Sequence, residues 1–373
     1  MDSGHRVLVF SIHCLKFIIL LLFFHFLTSC SKELPGGGEV KEVETVFTLA
    51  PANFGDAITR ADVTVDAVKN LWILQFNGTT DLSKLVKSEY KNSVDNLADL
   101  KIILNKGSNQ RVVFIANTFD SELFNEDNAP PGNYFFSQFK KKKFFISDES
   151  GMFTGSGEKF MRMYGSYDGN VPNKDASVLL YRIGAKVILI YTSADVSSVP
   201  DGSRFRVTSV QLNDVPDSSS YISDPSNTVV ATPKCVVSYP VISGSATGVS
   251  GEAYSINDYD GFVTFYLPEN IRGINSSVIS QQQKPEFAPV NSTWIEIKGE
   301  GISSDGRVNE YVTFKLYLGN NFTTNYNINN NTEYTITLKF KGINLKDARM
   351  TVERISDIEI FEEETIEWDE EEV

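Results

Sequence analysis

Between residues 43 and 341 the chain is a succession of short runs rich in Val, Ile, Phe, Tyr and Thr, each ended by Gly, Asn, Asp or Pro. That punctuation constrains the fold more than any other feature, because β-branched and aromatic residues suit a half-buried pleated surface and the punctuating residues suit turns. Candidate strands are Val43–Leu49, Lys69–Asn77, Arg111–Asn117, Val178–Tyr191, Arg204–Asn213, Phe262–Leu267, Thr293–Lys298, Glu310–Leu318 and Glu333–Lys341. In the first of them Val43, Phe47 and Leu49 share one side, the period-two signature of a strand covering a core. Helical spacing is confined to Asp81–Tyr90 and Ser93–Leu100, with Asp81 and Ser93 placed as caps. The expected class is all-β, mainly antiparallel, built as β-sandwiches with minor helical segments.

Size and composition fit that class. The 373 residues are too many for one ordinary domain and suit two. A Pro/Asp/Ser cluster at 215–227 marks a plausible boundary, giving an N-terminal sandwich over 61–225 and a C-terminal one over 226–373 with an acidic tail. Acidic residues outnumber basic ones by 48 to 34, so bulk-charge attraction to nucleic acid is disfavoured.

The N-terminus reads as an address. Val7–Leu27 is an almost continuous apolar run behind Arg6, and it ends in Leu27-Thr28-Ser29-Cys30. The pattern resembles a bacterial lipoprotein signal over residues 1–29, cleaved before Cys30, whose thiol would then carry lipid. The run is also long enough for a retained anchor, and simple secretion is the third alternative. Residues 30–60 then open on a short Ser/Lys/Glu stretch and Pro35-Gly36-Gly37-Gly38, which read as a flexible tether.

Removing residues 1–29 also removes His5, His13 and His25, which are all the histidines. The remaining thiols are Cys30 and Cys235, so no internal disulfide forms and no Ser-His-Asp triad, Cys-His dyad or histidine zinc site exists in a mature chain. No cofactor or metal is expected. Gly151–Gly157 lacks the ending of a phosphate loop and reads as a turn. The Asp/Asn groups at 168–170 and 257–260 lack calcium-loop spacing. Lys140–Lys143 reads as a solvated run, with a polyanion patch as its alternative. Paired carboxylates can support glycoside hydrolysis without histidine, but no pair stands out among so many acids.

Several segments together resemble the fimbrillin family of Bacteroidales, the subunits of type V pili. They are Ile58-Thr59-Arg60-Ala61-Asp62 followed by Val68–Phe76; Tyr181–Val187, with Arg182, Ala185 and Lys186; Phe265–Asn270 followed by Thr293–Ile297; and Tyr317–Asn321 leading to Asn327-Ile328 and Asn331–Tyr334. The resemblance covers residues 30 to about 343. It implies two transthyretin-like β-sandwich domains, no enzymatic activity, and display at the outer membrane through lipid on Cys30. It further implies processing between Arg60 and Ala61 by an arginine-specific protease, after which subunits join other fimbrial subunits by strand exchange. The excised piece would carry Val43–Leu49, and its loss would bare an apolar groove and unpaired edge amides. Met350–Val373 is a candidate donor segment, although Glu362–Glu364 would be costly in a dry groove. The alternative from the binding class is a monomeric surface lipoprotein or tip adhesin that recognises glycan or protein.

Cys30→Ser is expected to abolish fatty-acid labelling and release the protein from the membrane fraction. Unchanged labelling would overturn the lipid assignment.

Overall fold

The computed structural model describes residues 41–52, 67–146, 149–155, 158–172, 176–193, 204–223, 236–237, 242–246, 254–256, 259–340 and 349–355. A compact unit begins at Val43. In chain order its first strands are β1 (Glu42–Pro51), β2 (Leu71–Phe76), β3 (Leu85–Lys91), β4 (Leu100–Asn105), β5 (Gly107–Ala116), the short β6 (Lys143–Phe145), β7 (Phe153–Thr154) and β8 (Phe160–Met161), then β9 (Met163–Val171) and β10 (Ala176–Arg182). There follow β11 (Ala185–Ser193), β12 (Arg204–Asn213), β13 (Val215–Pro216), β14 (Ser218–Ser220), β15 (Val236–Val237), β16 (Ile242–Ala246), β17 (Tyr254–Ile256), β18 (Gly261–Leu267), β19 (Trp294–Ile302), β20 (Val308–Tyr317), β21 (Thr332–Phe340) and β22 (Arg349–Ile355).

Seven strands run in the order β3-β2-β5-β9-β10-β1-β4. This sheet closes over itself. The inward side chains Phe47 and Leu49 of β1, Leu100, Ile102 and Leu104 of β4, and Val178 and Leu180 of β10 share one core with Ile73 of β2, Val112 and Phe114 of β5, and Met163 of β9. The Phe47 ring meets Phe114 edge-on at 5.1 Å and Tyr167 at 5.5 Å, the geometry that aromatic quadrupoles favour.

Every residue of β2 is buried, because the opposite face of this sheet is covered as well. The excursion between β5 and β9 lays Phe124, Phe136, Phe139 and Phe144 over Trp72, Leu74, Phe76 and Ile115. A strand buried on both faces reads as a continuous apolar run, which is what Leu71–Phe76 is apart from Gln75. Gln75 is satisfied by Asn105, donating to its carbonyl at 2.7 Å and accepting from its amide at 2.8 Å.

A second core lies between a four-stranded sheet, β18-β11-β21-β22, and a five-stranded sheet, β17-β16-β12-β19-β20. Val187, Leu189, Phe265, Ile336 and Leu338 face Phe205, Val207, Val210, Ile295 and Leu316 across it. Most pairings are antiparallel, and β1 with β10 and β11 with β21 are parallel. The mainly antiparallel all-β expectation holds.

Three local expectations differ from the structure. The segments Asp81–Tyr90 and Ser93–Leu100 are not helical. Leu85–Lys91 is β3, antiparallel to β2, while Leu82 is 78% exposed, so the four-residue spacing marks no buried stripe. Residues 93–98 are shaped by side-chain hydrogen bonds, with Ser93 donating to Asp95 at 3.0 Å and Asn96 accepting the Ala98 amide at 3.0 Å. Helix occurs instead at Phe136–Lys140 and Lys284–Phe287.

Val178–Tyr191, read as one strand, is two strands in different sheets. The break is Ile183-Gly184, where Gly184 has φ 146° and a Cβ would meet the Met152 methyl at 2.4 Å. The strand pairing thus changes sheets at Gly184, upstream of the 215–227 segment where composition marked a boundary. A two-residue crossing carries no linker composition for a sequence reading to detect. Downstream, β14 returns to pair with β6, and Phe153 packs against Tyr266 at 4.9 Å, so the two halves share side chains around the crossing.

Phe47→Ala is expected to destabilise the intact chain by about 3–5 kcal/mol, the usual cost of emptying a buried aromatic site. Denaturant unfolding measures this, and a loss below about 1 kcal/mol would show that β1 is not integral to the first core.

Candidate functional site

The site that the sequence reading points to is the place of β1. This strand is an interior member of its sheet, between β10 and β4. Phe47–Pro51 pairs in parallel with Ala176–Leu180, and the Ala52 amide continues the ladder to the Leu180 carbonyl at 2.8 Å. On its other side the Leu49 amide donates to Leu97 at 2.7 Å, and the Thr48 hydroxyl donates to the Ala98 carbonyl at 3.0 Å. Alternation along β1 directs Thr45, Phe47 and Leu49 into the core while Thr48 and Ala50 face solvent.

The end of β1 is held by an arginine. Arg182 is the last residue of β10, on the inward side shared with Ala176, Val178 and Leu180, and it is buried. Its Nη1 donates to the Ala52 carbonyl and, at 3.0 Å, to Asn331 Oδ1. Asn331, with φ 52°, also accepts the Arg182 amide at 3.1 Å, and its own amide donates to the Gly184 carbonyl at 2.8 Å. Four residues on, Lys186 of β11 pairs with the buried Glu333 of β21 at 3.0 Å. The segment Arg182-Ile183-Gly184-Ala185-Lys186 therefore ties β1 and β21 to the sheet crossing through the buried Arg182 and the half-buried Lys186. A cation at an inward strand position is the sequence signal for this arrangement, since such a group needs dedicated partners.

Chain on the other side of the expected processing point is held separately. Asn117, fully buried with φ 60°, donates from Nδ2 to the carbonyls of Ala67 and Met161 at 2.8 Å each and accepts the Lys69 amide at 2.9 Å. Asn70 Oδ1 accepts the amides of Thr118 and Phe119 at 3.0 and 3.2 Å. Residues 53–66 thus lie between two anchored ends. Arg60 and Ala61 fall within that interval, and they and Cys30 lie outside the described residues. Residues 350–355 of the candidate donor segment lie in β22 (Arg349–Ile355), antiparallel to β21 at the edge of their own sheet.

Other sequence candidates are engaged locally. Asp168 forms a two-point ion pair with Arg111 at 2.7 and 2.6 Å. In the lysine run, Lys140 pairs with Asp81 at 3.4 Å and Lys142 lies 5.9 Å from the Phe124 ring centre. Of the glycine-rich segment Gly151–Gly157, Gly151 and Met152 end a short 3-10 turn (Glu149–Met152) and Phe153-Thr154 form β7. Among the described residues, no group of three or more His, Cys, Asp or Glu could hold a metal ion.

One functional-looking residue escaped the sequence reading. Lys284 is fully buried and donates to the carbonyls of Asn325, Asn321 and Tyr317 at 2.7, 3.0 and 3.4 Å, with its ammonium 4.7 Å from the Tyr326 ring centre. It gathers the asparagine-rich loop after β20 around one cation. Burial pushes its pKa down from 10.5 to about 7.

No curated protein matches the chain. A family model described as a domain of unknown function (DUF4906) matches residues 265–338. Among solved structures, the tip fimbrial protein Mfa3 of Porphyromonas gingivalis, with C-terminal truncation, is 12% identical at a TM-score of 0.52, covering 85% of this chain and 100% of that one. A protein described provisionally as a cell adhesion protein, from Parabacteroides distasonis, is 14% identical at 0.51, covering 86% and 98%. A third, described in the same way and from Bacteroides eggerthii, is 14% identical at 0.51, covering 85% and 96%.

The lysine cage has a measurable consequence. Because the unfolded chain holds the Lys284 proton up to about pH 10.5 and the folded chain releases it near 7, this residue makes stability rise with pH across that window. Lys284→Met is expected to lose that rise, so the denaturation midpoints of the two proteins should diverge between pH 7 and 9.5. Parallel pH profiles would overturn the assignment. At TM-scores of 0.52 and 0.51, the chain shares the fold of that tip fimbrial protein and of the Parabacteroides distasonis protein.

Proposed function

We propose that this protein is a structural subunit of cell-surface fimbriae, exported as a lipoprotein on Cys30, matured by arginine-specific cleavage between Arg60 and Ala61, and assembled by strand exchange. The observation that carries the reading is the place of β1 between β10 and β4. Losing an edge strand would bare one row of backbone groups. Losing an interior strand opens a slot with unpaired donors and acceptors on both walls and the Phe114 and Tyr167 rings on its floor. A single extended segment from another subunit satisfies both walls and covers the floor. The separate anchoring of Ala67–Asn70 by Asn117 supports the same reading, because the retained chain keeps its first strand when β1 leaves.

In this role the protein acts through assembly and display rather than catalysis, at the outer membrane before maturation and in the fimbrium afterwards. Its partners are other fimbrial subunits, the processing protease and the lipid bilayer. A second reading, a tip subunit with an adhesive surface, draws on the likeness to a tip fimbrial protein. The candidate donor segment 350–373 distinguishes the two, since a stalk subunit must both receive and donate a strand.

Treatment of the folded precursor with an arginine-specific protease is expected to give a product beginning at Ala61 that associates into oligomers. Arg60→Ala should block both events while leaving the unfolding transition within about 0.5 kcal/mol of the parent. N-terminal sequencing and size-exclusion chromatography read the outcome. Cleavage that leaves a permanent monomer would remove the stalk role, and resistance at Arg60 would remove maturation there.

A further inference from the structure

The core-facing side of β1 is not uniformly apolar. Phe47 and Leu49 are buried aromatic and aliphatic groups, whereas Thr45, two residues before Phe47 on the same side, is only 2% exposed and its hydroxyl makes no hydrogen bond among the described residues. A hydroxyl taken out of water without a partner opposes the burial of the strand that carries it. Valine has the same branched shape without the polar atom, so the site itself accepts an aliphatic group better than the threonine it holds. The far end of the strand behaves oppositely. There Arg182 grips the Ala52 carbonyl, a contact with the main chain that any extended occupant in register supplies equally well.

We infer that β1 is a weakly fitted occupant of its slot, and that the slot prefers an incoming strand with a β-branched aliphatic residue at the position of Thr45. The preferred partner is an extended segment of another subunit carrying that residue, then large apolar residues at the positions of Phe47 and Leu49, and a free main-chain carbonyl where Ala52 presents one to Arg182. This rests on the strand-exchange reading and adds a direction to it. While β1 is joined to the chain, its high local concentration offsets the poor fit at Thr45. Once the connection at residues 53–66 is cut, the two strands compete on contacts alone, and the unsatisfied hydroxyl favours the newcomer. Arg182 sets the register without favouring either, because it reads only backbone.

Fluorescently labelled peptides spanning residues 42–52 test this on the protease-cut protein by anisotropy. The parent peptide should enter the slot, Thr45→Val should bind about 10-fold tighter, and Thr45→Ser, which keeps the hydroxyl and loses the methyl, should bind more weakly than the parent. In the uncut protein, Thr45→Val should raise the melting temperature by about 2–4 °C. Equal binding of the parent and Thr45→Val peptides, or an unchanged or lowered melting temperature, overturns the role of Thr45 while leaving strand exchange intact. Binding of none of the three peptides overturns strand exchange itself, and the inference with it.

Discussion

The first half of the molecule depends on one strand lying between two others. Because β1 sits between β10 and β4, its backbone completes two ladders at once, and Phe47 and Leu49 complete the core that those ladders enclose. β4 joins the sheet through β1, and the outer layer of the sandwich therefore exists as a continuous surface only while that position is filled. The chain reaches β1 before any other strand of the unit, yet β10, its parallel partner, lies more than a hundred residues later. Such a pairing closes a long loop, so its entropy cost places the docking of β1 late in the assembly of this sheet.

The crossing at Ile183-Gly184 links that slot to the second half. Arg182 reaches back to the end of β1 and forward to Asn331, and Lys186 pairs with Glu333 on β21. Leaving a buried charge such as Arg182 or Glu333 without its partner is expensive, so these contacts enforce one arrangement of neighbouring strands. Here they fix where β10 ends, where β11 begins and which loop of the second sandwich abuts β1. Beyond this junction, Lys284 organises the asparagine-rich loop by presenting three donors to three carbonyls, a tethered cation in a cradle of oxygen atoms.

The local pattern of residues determined a great deal. Period-two alternation with turn residues at the ends located Val43–Leu49 and Arg204–Asn213 as strands, because a half-buried strand must alternate. The motif from Tyr181 to Val187 was legible as a resemblance, but it lay inside a segment read as one strand, so the crossing it contains was not. The absence of histidine after residue 25 limited the chemistry open to a mature chain on composition alone. Leu85 shows the limit of spacing, as its neighbours suit a helix as well as a strand and only the open edge of β2 decides between them.

Tertiary structure decided what local spacing cannot carry. That β1 is an interior strand and not an edge depends on pairing with Ala176–Leu180, a distant segment whose register no neighbouring residue encodes. That Val178–Tyr191 divides between two sheets depends on Gly184 turning where a side chain would strike Met152. That Lys284 is buried depends on three carbonyls converging from the end of β20 and the loop after it, because an isolated lysine in sequence is ordinarily a surface residue. Thr45 makes the same point at the slot. The sequence by itself determined that this residue faces inward with Phe47 and Leu49, by alternation, but only the packed core decided that its hydroxyl would find nothing to bond, since hydrogen-bond satisfaction belongs to the assembled surroundings and not to the strand.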